Sequence, residues 1–226
     1  MARDPRAVLL DLDGTLIDRD AAVRIWLRRR AGLGVEIDEL LALDAADQRS
    51  LAALGLAVHR LRPGLASDGR ALSERIRTEL PGMISPDDQI LRALARLQAA
   101  KYRLALVSNG GPSQRRKLAA ARISERAFDT IVISGELGSA KPAAAMFEAA
   151  LAALGVGPGA ATMIGDSPEE DIAGAAALGL ATVWIARGRG YPAGVVAPTR
   201  VAEDFPGAVA AVTAGYGDLW SPRRSR

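Results

Sequence analysis

The sequence predicts an α/β protein, a doubly wound parallel sheet with a small all-helical domain inserted after the first strand. Three observations lead there. From Pro86 onward, short apolar runs alternate with helical segments, the pattern of right-handed βαβ crossovers. An isolated apolar run, beginning at Ala7, precedes them, and no further strand pattern appears until Arg103. Everything between carries helical periodicity alone, broken at Gly32–Gly34, Pro63-Gly64 and Pro81-Gly82.

Taken in order, the stretch AVLLDLDGTLID from Ala7 to Asp18 is a strand that stops abruptly in carboxylates and a glycine. Four helices follow: AAVRIWLRRR, EIDELLALDAAD, SLAALGLAVHRLR and ALSERIRTEL. They suffice for a small bundle over the sheet but not for a second α/β domain. The expected boundaries are therefore 1–17 and 84–226 for a discontinuous Rossmann-type catalytic core, and 18–83 for the helical insert. Pro86-Asp87-Asp88 opens the next helix, which places Ile90, Leu91, Leu94 and Leu97 on one side. Then come strand RLALVS, helix PSQRRKLAAARI, strand TIVIS, helix AAAMFEAALAALG, strand ATMIG, helix EEDIAGAAALG and strand LATVWIA. RGRGYPAG, from Arg187, is too glycine-rich for regular structure, EDFPGAVAAV reads as a last helix, and GDLWSPRRSR reads as a frayed end. None of these last segments is expected to carry chemistry.

Composition narrows the function. The 226 residues are 49% hydrophobic and 4% aromatic, which suits one aliphatic, helix-rich core plus a small second one. A net charge of +3 is too small to indicate a nucleic-acid partner, and the basic clusters Arg28–Arg30, Arg115–Lys117 and Arg223, Arg224 and Arg226 lack interleaved aromatics for stacking bases. They read as solvated helix faces and a loose tail. There are no cysteines, hence no disulfide framework or thiolate metal site. MARDPR leads straight into a strand, and no run approaches the roughly 18 apolar residues of a membrane span. A cytoplasmic protein without membrane partners is expected.

Four polar motifs fall after successive strands, and so at one sheet edge, where open α/β sheets bind ligands. Asp11 and Asp13 end the first strand, with Gly14 permitting a tight exit and Thr15 adding a hydroxyl. Ser108, Asn109, Gly110 and Gly111 end the second ahead of a helix, an arrangement able to cradle phosphate through hydroxyl, amide and backbone N–H groups. Lys141 follows the third strand and can set a fixed positive charge over a phosphate. Asp166, Glu169, Glu170 and Asp171 follow the fourth; so many carboxylates repel unless a cation offsets them, and Asp166 at the strand tip is the best candidate metal ligand. Separately each motif has an ordinary explanation, such as an Asx turn, a strand-to-helix turn or acids in a helix's first turn. Together they point to magnesium-dependent phosphoryl transfer.

These motifs, DLDGTLID, SNGG, GSAKP followed by Phe147, and GDSPEED, resemble in order and spacing the four signatures of the haloacid dehalogenase superfamily, over Ala7 to about Ala186. The resemblance implies a Rossmann-like core with a helical cap after the first motif. It implies that Asp11 attacks phosphorus to give an aspartyl-phosphate, while Asp13 protonates the leaving alcohol and then activates water. Asp11, the backbone carbonyl of Asp13, and Asp166 would hold Mg²⁺. Ser108 and Lys141 would bind the phosphoryl group, with backbone contacts from Asn109 and Gly110 and help from Thr15. Asp171 would orient Lys141 or a metal-bound water. The substrate would be a small phosphorylated metabolite, a sugar phosphate or nucleoside monophosphate, and the enzyme a monomer or homodimer. Arg24, Arg28 and His59 are candidate insert contacts, although His59 lies in an apolar helical pattern. A dehalogenase has no alcohol to protonate and no need of Asp13; a phosphomutase would keep both aspartates; a non-catalytic phosphate-binding or regulatory protein would have lost catalytic positions, and none is lost here.

Overall fold

The computed structural model describes residues 6–46 and 50–214. The first residues of the MARDPR segment, the GDLWSPRRSR end and the Arg223, Arg224 and Arg226 cluster lie outside the described residues. In chain order the elements are β1 (Ala7–Leu10), α1 (Arg19–Ala31), α2 (Ile37–Ala46), α3 (Ala52–Leu61), α4 (Gly69–Glu79), α5 (Asp88–Ala99), β2 (Arg103–Ser108) and α6 (Ser113–Ala120). There follow β3 (Thr130–Ile133), α7 (Ser134–Leu137), α8 (Ala144–Leu154), β4 (Ala161–Gly165), a π-helical turn (Pro168–Ala173), α9 (Gly174–Ala177), β5 (Ala181–Ile185), β6 (Arg200–Ala202) and α10 (Phe205–Thr213).

Among the described residues six strands form one parallel sheet, in the order β3-β2-β1-β4-β5-β6. β1 is therefore central: Ala7 pairs with Arg103 on one side and Ala161 on the other. Its four residues are fully buried, and because successive side chains point to opposite faces, both faces of the sheet are covered. On one face Ala7, Leu9, Ala105, Val107 and Met163 pack with Met146, Phe147, Ala150, Leu151 and Leu154. Those last five recur at the three- and four-residue spacing that puts them on one side of α8. α10 packs on α5, β5 and β6, and Tyr102 ties its end down by donating to the Val212 carbonyl at 3.1 Å.

The described residues fall into two compact units: one runs to Ile17 and takes in Asp87–Gln114 and the chain from Ile123 onward, the other comprises Asp18–Pro86 and Arg115–Arg122. In the second, Trp26, Leu27, Leu54, Val58, Leu72 and Ile76 are buried in one apolar cluster. Polar ties join its elements. Trp26 Nε1 donates to Glu79 Oε2 at 2.9 Å, and the buried pair Arg19–Asp44 (2.6 Å) is joined by the Leu51 N–H, which donates to Asp44 Oδ1. His59 is packed with its Nδ1 buried and unpartnered.

The structure departs from the sequence expectations in four places. β6 is a strand that no apolar run announces; it pairs with β5 through Ala186 N–H to Ala202 O, and Thr182 and Thr199 exchange backbone-to-hydroxyl hydrogen bonds. The third strand ends a residue early because Ser134 starts the single turn α7 and spends its hydroxyl on Gly110. The helix expected over EEDIAGAAALG opens as a π turn, with Ile172 N–H donating to Ser167 O five residues back. Lys117, expected on a solvated face with Arg115 and Arg116, is buried, whereas Arg28–Arg30 are exposed. No helix among the described residues is long and apolar enough to cross a membrane.

Candidate active site

The carboxyl ends of β1, β2 and β4 are neighbours in the sheet, so the polar residues that terminate them meet. Asp11 follows β1 directly and is buried; Lys141 Nζ lies 2.7 Å from its Oδ1 and 2.6 Å from Asp171 Oδ1. Both acids and the lysine are buried. Asp166, one residue past β4, is buried as well, and carboxylate oxygens of Asp11, Asp166 and Asp171 all lie within 4.8 Å of one another.

Two glycines make this crowding possible. Gly14 adopts φ +90°, and a Cβ there would sit 2.5 Å from the Asp166 carboxylate. At Gly165 a Cβ would fall 2.2 Å from Asp171 Oδ2, so the π turn can bring Asp171 back against the strand end only over a residue without a side chain. There Asp171 Oδ2 accepts the Ser167 N–H at 3.0 Å.

Electrostatics follow from burial. Desolvation pushes the Asp11 carboxyl up to about 7; Lys141 pulls against this, and Asp171 and Asp166 add to it. Burial likewise raises Asp171, again with Lys141 opposing, and raises Glu170. For Lys141 burial disfavours the charged form, but Asp11 and Asp171 outweigh it and hold the ammonium protonated far above neutrality.

The predicted phosphate cradle is built differently from its sequence expectation. Asn109 uses its side-chain amide to clamp the Lys141 backbone, donating to Lys141 O at 3.0 Å and accepting from Lys141 N–H at 2.7 Å. The Gly110 N–H donates to Ser134 Oγ at 2.9 Å, so this group, expected to bind phosphate, is satisfied within the protein by the hydroxyl that α7 brings up. Ser108 Oγ is buried and accepts from Gln114 Nε2 at 2.7 Å. Thr15 Oγ1 and Asp11 Oδ2 are buried without a hydrogen-bond partner. Asp13, expected to reach a metal through its carbonyl, lies outside the carboxylate cluster, and its Oδ2 accepts from Gln114 Nε2 at 2.8 Å.

Sequence reasoning missed Gln114 and Arg189. Gln114 sits in the first turn of α6 as one polar residue in a basic run; its only sequence signal is nearness to the SNGG loop. Arg189 lies in the glycine-rich segment expected to carry no chemistry, yet its Nη2 donates to Asp166 Oδ2 at 3.1 Å and to Asp166 O at 3.0 Å. It also lies over the Trp184 ring, whose Nε1 donates to the same carbonyl.

Three buried carboxylates face one buried lysine and the partly exposed Arg189 guanidinium, which leaves one negative charge in excess when all are ionised, and Asp11 Oδ2 stands unsatisfied. All-oxygen donors of this kind suit a hard divalent cation.

An acidic, lysine-anchored centre at the carboxyl edge of an open parallel sheet defines a doubly wound α/β protein whose chemistry sits at its strand ends. More narrowly, the chain belongs to the haloacid dehalogenase-like hydrolases, whose family model matches residues 5–179. It is 43% identical over 96 residues to a phosphoserine phosphatase of Thermus thermophilus, covering 42% of this chain and 38% of that protein. It is 38% identical over 125 residues to the mouse N-acylneuraminate-9-phosphatase, 53% of this chain and 50% of that one. These matches thus span half or less of the relatives' lengths. A glyceraldehyde 3-phosphate phosphatase of Methanothermobacter thermautotrophicus is 29% identical over 204 residues, 80% of this chain and 85% of its own. Among solved structures, a hydrolase of the same family from Bacillus subtilis, bound to magnesium, superimposes with a TM-score of 0.75 at 19% identity, over 92% of this chain and 98% of that one. At that identity the likeness concerns the fold.

Proposed function

We infer that the chain is a Mg²⁺-dependent phosphatase that hydrolyses a small phosphomonoester through an aspartyl-phosphate on Asp11. One observation carries this: a buried aspartate with one oxygen on Lys141 and the other unsatisfied, beside a second aspartate held in a different hydrogen-bond environment. Two carboxylates in two environments suit two roles. The named relatives act on phosphoserine, N-acylneuraminate 9-phosphate and glyceraldehyde 3-phosphate, which supports a small metabolite such as a sugar phosphate; a nucleoside monophosphate belongs to the same chemical class.

Asp11 attacks phosphorus, the bond to the ester oxygen breaks, and that oxygen leaves with its electron pair and a proton from Asp13. Asp13, now ionised, takes a proton from water as it attacks the acyl phosphate, releasing phosphate and restoring Asp11. Lys141 steers Asp11 and offsets phosphoryl charge, Asp171 holds Lys141, and Ser108 and Thr15 offer hydroxyls to the phosphoryl oxygens. Asp11, Asp166 and the backbone carbonyl of Asp13 would hold Mg²⁺, which supplies charge neutralisation at the phosphoryl group when bound. The helical insert, residues 18–83, serves as the cap that selects the leaving group.

The test is phosphate release from a panel of sugar phosphates and nucleoside monophosphates with Mg²⁺ or with EDTA. Release that depends on Mg²⁺ and vanishes in a folded Asp11→Asn variant is expected. No release across the panel, or near-normal turnover by Asp11→Asn, overturns the assignment.

A further inference from the structure

We propose that Asn109 is a positioning residue: through the Lys141 backbone it sets where the ammonium stands between Asp11 and Asp171, and so governs the charge that meets the phosphoryl group. This rests on the phosphatase reading above. Lys141 lies between α7 and α8, in a stretch, residues 138–143, without regular structure. One side chain meets both of its peptide groups: Asn109 Oδ1 accepts the Lys141 N–H at 2.7 Å, and Asn109 Nδ2 donates to Lys141 O at 3.0 Å. Among the described residues no other group bonds those two atoms. A carboxamide has one accepting and one donating side, so the pairing closes like a rung of a sheet ladder and fixes orientation as well as distance. Because Asn109 directly follows β2, the loop that carries the ammonium is held to the strand tip that carries Ser108. The Glu170 side chain also bonds the Asn109 amide.

Attraction and anchoring play different parts at this lysine. Its four-carbon stem is flexible, and attraction to the two carboxylates falls only as the inverse of distance, so it draws the ammonium in without fixing its place. The directional hydrogen bonds at the peptide fix the root of the stem. The ammonium is needed while the Asp11 oxygen bonds to phosphorus and the ester oxygen departs with its electron pair, when charge on the phosphoryl oxygens must be met at a set point. A misplacement of about 1 Å there costs on the order of 100-fold in rate.

The chain has three lysines, Lys101, Lys117 and Lys141. Lys101 is exposed, whereas Lys117 and Lys141 are buried, so acetylation with acetic anhydride, followed peptide by peptide in a mass spectrometer, reports on each separately. Asn109→Ala removes both halves of the clamp. Asn109→Asp keeps the shape and the acceptor but sets a carboxylate against Lys141 O and beside Glu170. In at least one variant that folds, acetylation of Lys141 is expected to quicken about 10-fold or more while Lys117 stays as protected as in the wild type. In the same variant kcat, with Mg²⁺ and the esters that the wild type hydrolyses, should fall roughly 10- to 100-fold, with KM moving less. Lys141 as protected as in the wild type, or exposed with kcat unchanged, overturns the proposal and leaves the phosphatase reading intact. A parallel gain at Lys117, or failure of both variants to fold, marks a structural role only and does the same. A wild type that hydrolyses no ester of the panel overturns that reading, and this inference with it.

Discussion

At the scale of single residues, Lys141 is the most consequential side chain. It is seated between two buried carboxylates, so its removal strands both charges in a low-dielectric interior. Lys141→Met is expected to destabilise the metal-free protein by about 3–5 kcal/mol, measured by denaturant unfolding. Added Mg²⁺ should then raise the thermal midpoint more in the variant than in the wild type, because it restores positive charge at Asp11; an equal rise in both would count against a cation site there. Lys141 was legible only in company with the other three motifs, because a lysine held extended before a proline can project its ammonium over a phosphate but is as readily a solvated residue at a helix start. Asn109 was legible as to position but not as to manner, since nothing in SNGG says that its amide closes on the Lys141 backbone rather than facing a ligand. Arg189 was not legible, and Gln114 only through its nearness to the SNGG loop. A polar residue in an exposed-looking helix start and an arginine in a glycine-rich loop become site residues only through long-range packing.

At the scale of elements, apolar periodicity located the helices well because each needs a buried stripe, and α8 shows why: its five buried residues recur at helical spacing against the sheet. β6 escaped because an edge strand of three half-exposed residues carries almost no burial signal. The π turn escaped because its cause, Asp171 folding back over Gly165, is tertiary. In the helical unit the buried carboxylate of Asp44 in α2 ties α1 to the start of α3, taking the Leu51 N–H and the Arg19 guanidinium. Asp44→Ala is expected to cost about 3–5 kcal/mol and to speed amide hydrogen exchange in α1–α4. Exchange in β1, β2 and β4 should be unchanged when the core unit is monitored in the same experiment; equal acceleration throughout would show that the two units unfold as one.

For the whole molecule, the acidic centre links stability to pH. Asp11 ionises at about 7 folded against 3.8 unfolded, and Asp171 is shifted the same way. A raised carboxyl contributes stability that is complete below the unfolded value and lost as pH climbs through the folded one. In EDTA the protein is therefore expected to lose stability between about pH 4 and pH 7, and Asp11→Asn to lose less over that range. Mg²⁺ should flatten the wild-type profile, as read from unfolding midpoints against pH; a metal-free wild type as flat as the variant would contradict the shift. The central position of β1 has a further consequence, for the order of events on the ribosome. The first strand made must wait for Arg103–Ser108 on one flank and Ala161–Gly165 on the other. A nascent chain shorter than that carries Asp11 and Asp13 but no sheet to hold them, so competence for catalysis arrives late in synthesis, and slow, non-local strand pairing sets its pace.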